Sequence, residues 1–425
     1  MSHAGHPSTQ CAVTRPITHL IPGLTPRLIT HLITGIAILA LAACAGGRVA
    51  RPGDAARAKA ESGSSEPASP QSRSSSRRLD RRWVAPGPQD PQAIVADDRG
   101  AVAIGRYGEM VALDRRGRQR WSSTVADDDE QTIDGAALGP DAVVLPVTPG
   151  RVVAVDRDRG EVRWSAAIQD PRRVDIDPRD PSVAAVLTAG GTVEALDLGD
   201  GRARWSTRVA FGDRAEPVSV GVRSNHVVVA WADVGGSHLQ VLDAGSGSEQ
   251  WSATAPRFSG TPALTDTAVL VSENLPTDGR HTKARILRFD LATGAVVWAH
   301  RVDGPFLPDL RVAAGQEAVV VVDVPGTVTV LDLETGTPRW SRRTRLRQFV
   351  AAPVLVGDVV AMTTYGTGLV AVAATDGSAV GNDAPGRVQT AITFEGSAPA
   401  GTRLYLLGGR SQGEGEVWML RPGES

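Results

Sequence analysis

The chain has 425 residues, 41% of them hydrophobic and 22% charged, with a formal net charge of −2. That balance belongs to a globular protein long enough to bury an extensive core. Cysteine occurs only at Cys11 and Cys44, which excludes a disulfide scaffold or a cysteine-ligated metal in the remaining chain.

In chain order, the first element is apolar. Residues 28–41 read LITHLITGIAILAL, follow Arg27 and run into Leu41-Ala42-Ala43-Cys44. The stretch is short for a transmembrane helix and fits the apolar region of a secretory signal. Its small residues before a thiol resemble the lipobox of bacterial lipoproteins. That resemblance implies cleavage between Ala43 and Cys44 and a diacylglyceryl group on Cys44. A signal peptide with an incidental cysteine, or an uncleaved anchor, is the plainer alternative. His3, His6, His19 and His31 fall in this leader, where no folded frame would hold them around a metal.

The next element is a linker. Its centre reads SGSSEPASPQSRSSSRR, with almost no large apolar side chain to offset the entropy of ordering. Residues 45–82 carry nine basic and four acidic side chains. With Arg15 and Arg27 before them, the remaining chain carries nine net negative charges. So acidic a body argues against a nucleic-acid partner, which requires clustered positive charge. The expected division is a signal peptide over 1–43, a basic tether over 44–78 and a folded body over 79–425. The tether either lies against anionic headgroups or is simply a solvated spacer.

The body repeats one phrase. AVDRDRGEVRW, ALDLGDGRARW, VLDAGSGSEQW, RFDLATGAVVW and VLDLETGTPRW place Asp, Gly and Trp at constant spacing. They supply Asp156, Gly160 and Trp164; Asp197, Gly201 and Trp205; Asp243, Gly247 and Trp251. Asp290, Gly294 and Trp298 follow, then Asp332, Gly336 and Trp340. ALDRRGRQRW is one residue shorter, with Asp114, Gly117 and Trp121, and Trp83 closes an earlier partial copy. A degenerate copy has Ala373 and Gly381 in place of Asp and Trp, and keeps Gly377. From Trp83 the tryptophan intervals are 38, 43, 41, 46, 47 and 42 residues, and 41 more reach Gly381.

Such a period signals stacked repeats rather than separate domains. Each repeat holds about four short alternating runs divided by turn residues, the pattern of a propeller blade. The paired runs 101–113, 142–156, 183–197, 225–243, 267–291, 318–332, 358–373 and 402–420 predict eight blades. No closing strand follows the last pair, so LDRRW at 79–83 is expected to complete that blade. Within the phrase, Asp bonds turn amides, Gly allows a left-handed backbone angle, and Trp packs where blades meet.

The phrase resembles the docking motif of the quinoprotein (PQQ-like) repeat family over nearly all of 83–425. The resemblance implies an all-β, eight-bladed β-propeller in which the motif ties blades together. Family enzymes are quinone-dependent alcohol and sugar dehydrogenases, with inserts, a vicinal cysteine pair and a calcium site. This body has no cysteine, and no residue matches the catalytic Asp or the calcium ligands. The expectation is therefore no enzyme activity, no cofactor and no metal. The compact, lipobox-bearing form is similar to the non-catalytic BamB-type lipoproteins. It implies a monomeric scaffold that binds an unidentified protein partner, held at the extracytoplasmic face of the membrane through its N-terminal lipid. A quinone-dependent dehydrogenase and a small-ligand or glycan sensor are the alternatives.

Four other stretches carry residues that could serve a site or a contact. ADDDEQTIDG, with Asp127, Asp128, Asp129, Glu130 and Asp134, has calcium-like oxygens without EF-hand spacing and reads as a solvated loop. GRSQG around Ser411 matches G-x-S-x-G but lies between two strands, where a nucleophile elbow requires a strand and a helix. ENLPTDGRHTKAR and DPRRVDIDPRDP read as long loops, either contact surfaces or neutral growth. The degenerate copy reads as repeat drift or as a notch for a partner.

Overall fold

The second and third runs of each repeat are almost continuously apolar, whereas the phrase ending at Trp alternates. A computed structural model shows why. It describes residues 77–423, apart from 134, 178, 210–215, 256–257, 276–281, 305–310, 315–316, 324–325, 345–351, 365–367, 383–389, 396–401 and 410–413. The signal peptide, Cys44 and nearly all of the tether lie outside the described residues.

The described chain is all-β and propeller-like. Strand β1 spans Arg78–Pro86. The first group of four is β2 (Pro91–Asp97), β3 (Gly100–Gly105), β4 (Glu109–Asp114) and β5 (Gln119–Thr124). The second has a split first strand: β6 (Gln131–Thr132) and β7 (Ala137–Leu138), then β8 (Ala142–Thr148), β9 (Arg151–Asp156) and β10 (Val162–Ala167). The third is β11 (Pro171–Ile176), β12 (Val183–Thr188), β13 (Thr192–Asp197) and β14 (Ala203–Arg208). The fourth is β15 (Glu216–Arg223), β16 (His226–Asp233), β17 (Gly236–Asp243) and β18 (Glu249–Ala255). The fifth is β19 (Phe258–Leu264), β20 (Ala268–Leu275), β21 (Thr282–Asp290) and β22 (Val296–Gly304). The sixth is β23 (Arg311–Ala314), β24 (Ala318–Val322), β25 (Thr327–Asp332) and β26 (Pro338–Arg343). The seventh is β27 (Val354–Val356), β28 (Val359–Thr364), β29 (Gly368–Ala373) and β30 (Ala379–Asn382). Last come β31 (Thr390–Glu395), β32 (Thr402–Gly409) and β33 (Gly415–Pro422).

Strands pair antiparallel with their sequence neighbours inside each group. The strand beside β33 is β1, in an antiparallel register from Leu79↔Pro422 to Pro86↔Glu416. Two parallel pairs, Arg78↔Gly381 and Leu79↔Asn382, also join β1 to β30.

Burial follows position in the group. Strand β8 is buried along nearly its whole length, and β9 at its four central residues, because neighbouring groups cover both faces. The fourth strand, β10, buries only Trp164 among exposed and half-exposed neighbours. Each apolar cluster is shared between adjacent groups. Val102 and Ile104 of the first pack with Val143 and Leu145 of the second. Leu270 and Ile286 of the fifth pack with Val319 and Val321 of the sixth. Tyr405 and Leu407 of β32 pack with Ile94 and Ala103 of the first group, alongside Ala85 of β1. Full burial of one such aliphatic side chain is worth about 1.5–3 kcal/mol, so the stacking faces hold the body together. The described residues contain no helix long and apolar enough to cross a membrane.

Candidate functional site

Each tryptophan of the repeated phrase leaves its own group and lies on the turn of the next. Trp121, on β5, donates its indole N–H to the Arg157 carbonyl at 2.8 Å. Its ring lies over Gly160, where a Cβ would come within 2.6 Å of ring carbon Cε3. The same two contacts join Trp83 to Arg115 and Gly117, and Trp164 to Leu198 and Gly201. They join Trp205 to Ala244 and Gly247, Trp251 to Leu291 and Gly294, and Trp298 to Leu333 and Gly336. The indole thereby buries its rings and satisfies its one donor at once. Gly336 has a φ of 67°, a left-handed angle, so no side chain fits there on either backbone or packing grounds.

The aspartate beneath shapes the turn. Asp332 Oδ1 accepts hydrogen bonds from the Glu334 and Thr335 amides, and Oδ2 accepts one from Arg339 at 2.8 Å. The Arg339 hydrogen bond, then those from Thr335, lower the Asp332 pKa to about 2. Asp114, Asp156, Asp197, Asp243 and Asp290 accept turn amides in the same way.

The degenerate copy departs at both ends. Trp340 still donates to the Ala374 carbonyl and lies on Gly377. Without an aspartate at Ala373, Asp376 accepts the Ser378 amide instead. At Gly381 the amide donates to the Arg77 carbonyl at 3.1 Å, and Arg78 Cγ lies 3.4 Å from where a Cβ would be. This place is filled by the incoming chain, so no notch is left there for a partner. The last group takes β1 as the neighbour of β33, so it has no third-to-fourth turn on which a tryptophan at 381 could lie.

A family model described as outer membrane protein assembly factor BamB matches residues 95–184 and 235–402. The chain belongs to the BamB family. A BamB of Burkholderia pseudomallei (strain K96243) is 27% identical over 307 residues, covering 68% of this chain and 75% of its own. The crystal structure of BamB from Moraxella catarrhalis superimposes with a TM-score of 0.57 at 19% identity, covering 80% of this chain and 97% of that one. Quinohemoprotein alcohol dehydrogenase from Comamonas testosteroni gives 0.57 at 12% identity, with 81% and 76% covered. At these identities the structural likenesses speak for the fold alone.

Within this BamB-family chain the other sequence candidates separate. The stretch DPRRVDIDPRDP is not a loop: Pro171–Ile176 is β11, the first strand of its group. Asp175 Oδ2 accepts the Val222 amide of β15 at 2.8 Å, and Asp177 Oδ2 accepts the Ser224 amide at 2.7 Å. The D-x-D pair thus satisfies backbone donors of the next group. Burial raises the Asp175 pKa, opposed by Arg223 at 3.5 Å. The i, i+2 spacing of the two aspartates, which puts both on one side of an extended chain, was the signal that could have revealed this role.

In the acidic stretch, Arg151 pairs with Glu130 and lies 3.5 Å from Asp127. That arginine holds the Glu130 carboxyl below its usual range, against the effect of burial. Asp128 and Asp129 sit on the exposed part of the same loop, and Asp134 lies outside the described residues. Among the described residues no three His, Cys, Asp or Glu side chains converge as a metal site. Of ENLPTDGRHTKAR, the two ends belong to β20 and β21, where buried Glu273 pairs with Arg285. Residues 276–281 and Ser411 lie outside the described residues.

Proposed function

We propose that this protein is a lipid-anchored, extracytoplasmic, non-enzymatic scaffold whose propeller binds a protein partner in envelope assembly. Membership of the BamB family carries the reading, because its named relatives are outer membrane protein assembly factors. In this reading residues 1–43 are the signal peptide, Cys44 takes the lipid, and 44–78 are the tether. Residues 79–425 form a monomeric eight-bladed β-propeller, closed by the N-terminal strand. The pairing of β1 with β33 and the core shared by Tyr405 and Ile94 support that closure. The successive contacts of first strands, from β7 with β11 round to β31 with β2, support the ring. The Asp–Gly–Trp triplets act as blade fasteners, and partner recognition is assigned to exposed loops and turns.

In a cell with two membranes, loss of the protein is expected to lower the amount of folded, heat-modifiable outer-membrane β-barrel protein. Wild type restores it and Cys44→Ala does not. Unchanged barrel levels would sink the assembly role. The dehydrogenase reading has its own test: purified full-length chain, supplied with quinone and calcium, is expected to show no dye-linked alcohol oxidation. Saturable quinone binding with turnover would replace the scaffold by an enzyme.

A further inference from the structure

The third-to-fourth-strand turns differ sharply in charge. In the first two groups their residues are Arg115-Arg116 and Arg157-Asp158-Arg159. From the third group onward the corresponding residues include no arginine or lysine: Leu198-Gly199-Asp200, Ala244-Gly245-Ser246, Leu291-Ala292-Thr293, Leu333-Glu334-Thr335 and Ala374-Thr375-Asp376. Basic turn charge is therefore concentrated in the first two groups, where Arg157 is buried against Asp97 while Arg115 and Arg116 are exposed beside the junction of β1 with the first group.

Two adjoining hollows mark the place. One is lined by Arg82, Arg115, Arg116, Arg403 and Arg421 around Trp83 and Met419. The other shares Arg115 and Arg116 and continues to Arg118 and Arg120. Part of this charge is answered locally. Arg118 pairs with Asp114 at 2.7 Å and Arg120 with Asp158 at 3.0 Å. Among the described residues, no carboxylate pairs with Arg82, Arg115, Arg116 or Arg403. Arg82, Arg115 and Arg116 are exposed, and Trp83 is half-buried among them. On a body with eight net negative charges, gathering like charges without partners costs self-repulsion that a bound anion would relieve.

The path of the chain points to which anion. Gly381 donates to the Arg77 carbonyl and Gly423 to the Arg78 carbonyl, so the chain enters the body at the end that carries these turns. The segment before it, from Cys44 to Ser76, is a short stretch of the sequence. We propose that this arginine-rich surface around Trp83 is a docking surface for anionic phospholipid headgroups, an inference that rests on the lipid-anchored reading of Cys44. An anchored body would be held close to the bilayer, and Arg77, where the described chain begins, bonds Thr375 and Gly381 at the same end as these arginines. Guanidinium groups match phosphate oxygens in pairs, and an indole between them suits the headgroup layer. A basic tether draws the same surface closer.

The test uses the full-length Cys44→Ala chain, which carries no lipid of its own. Its sedimentation with phosphatidylglycerol–phosphatidylcholine vesicles is compared with that on phosphatidylcholine alone, at low and high salt. Selective partition to the anionic vesicles, weakened by salt, is the expected result. The double variant Arg115→Glu, Arg116→Glu should reduce it by about 25-fold or more, taking about fivefold per arginine near an anionic surface. Arg82→Gln with Arg403→Gln should act in the same direction, and Arg202→Glu, exposed just before β14 and outside both hollows, should change nothing. Each variant is scored only with a wild-type thermal midpoint. Equal partition by wild type and both double variants overturns the proposal and leaves the charge effect to the tether. Binding to soluble polyglutamate without vesicle partition also overturns it, in favour of an acidic protein segment. Palmitate labelling of wild type against Cys44→Ala tests the anchor separately, since the vesicle result does not depend on it.

Discussion

Seven described junctions between neighbouring groups are closed by an indole lying on a glycine turn, from Trp83 on Gly117 to Trp340 on Gly377. The junction at Gly381 has neither indole nor turn, and is closed by backbone pairing to Arg77–Leu79. The two solutions bury different things. An indole brings a large apolar area and one satisfied N–H, so each such junction is stabilised locally. The seam gains hydrogen bonds and a fully buried Leu79, and it depends on residues at opposite ends of the described chain meeting correctly. A repeated junction can be copied by duplicating one sequence unit, whereas the seam exists only once the other groups have brought its halves together.

The largest effect is expected from removing β1. Deletion of 78–86 bares the edge of β33 and takes Leu79 and Ala85 out of two cores. Cooperative thermal unfolding should be lost, with aggregation visible by light scattering. A sharp transition near the wild-type midpoint would mean that the seam contributes little.

Next comes the indole itself. Trp298→Ala should cost about 3–5 kcal/mol in a denaturant titration. A loss below about 1 kcal/mol would remove the basis for the comparison.

Glycine substitutions compare the two kinds of junction directly. A Cβ at Gly336 would stand 2.5 Å from Trp298 Cδ2 on a left-handed backbone, so Gly336→Ala should cost about 3 kcal/mol. At Gly381 the nearest atom is 3.4 Å away, and Gly381→Ala should stay within about 0.5 kcal/mol. Similar losses at both sites would show that the seam is packed as tightly as the indole seats.

Asp177→Ala strands the Ser224 amide between groups three and four, and should cost about 1–3 kcal/mol by the same titration.

The smallest effects are those of single turn carboxylates. The pKa values of Asp197, Asp243, Asp290 and Asp332 are all lowered, chiefly by hydrogen bonds from Arg204, Ser246, Thr293 and Arg339 respectively. A carboxylate with a lowered folded pKa stabilises the fold above its unfolded pKa, near 4, and loses that contribution as pH falls. Stability should therefore decline from about pH 4 towards the Asp332 value of about 2. Asp332→Asn should flatten part of that decline, and an unchanged pH profile would deny the turn carboxylates a share in it.

Much of this was legible because it is local. Alternation and turn residues placed the strands close to their observed bounds, as at 142–156, where β8 and β9 stand. The D-x-D at Asp175 and Asp177 reads as loop in the sequence because prolines and charges flank it, while its hydrogen bonds come from amides 47 residues away. The filled place at Gly381 left no local sign, because it depends on Arg77 and Arg78. The lowered pKa of Glu130 came from Arg151, a residue of the following hairpin.

By itself, the sequence determined the strands, the turn at each Asp–Gly pair and the repeat that identifies the family. Those properties arise within a few residues, from side-chain alternation and from a backbone angle that glycine tolerates. Tertiary structure alone decided that each tryptophan lies on its neighbour's turn rather than its own. It also decided that Arg77 and Arg78 stand where one tryptophan is missing, and that Arg82, Arg115, Arg116 and Arg403 share one surface. These contacts lie where sheets stack face to face, between residues far apart in the chain, so they carry no local signal.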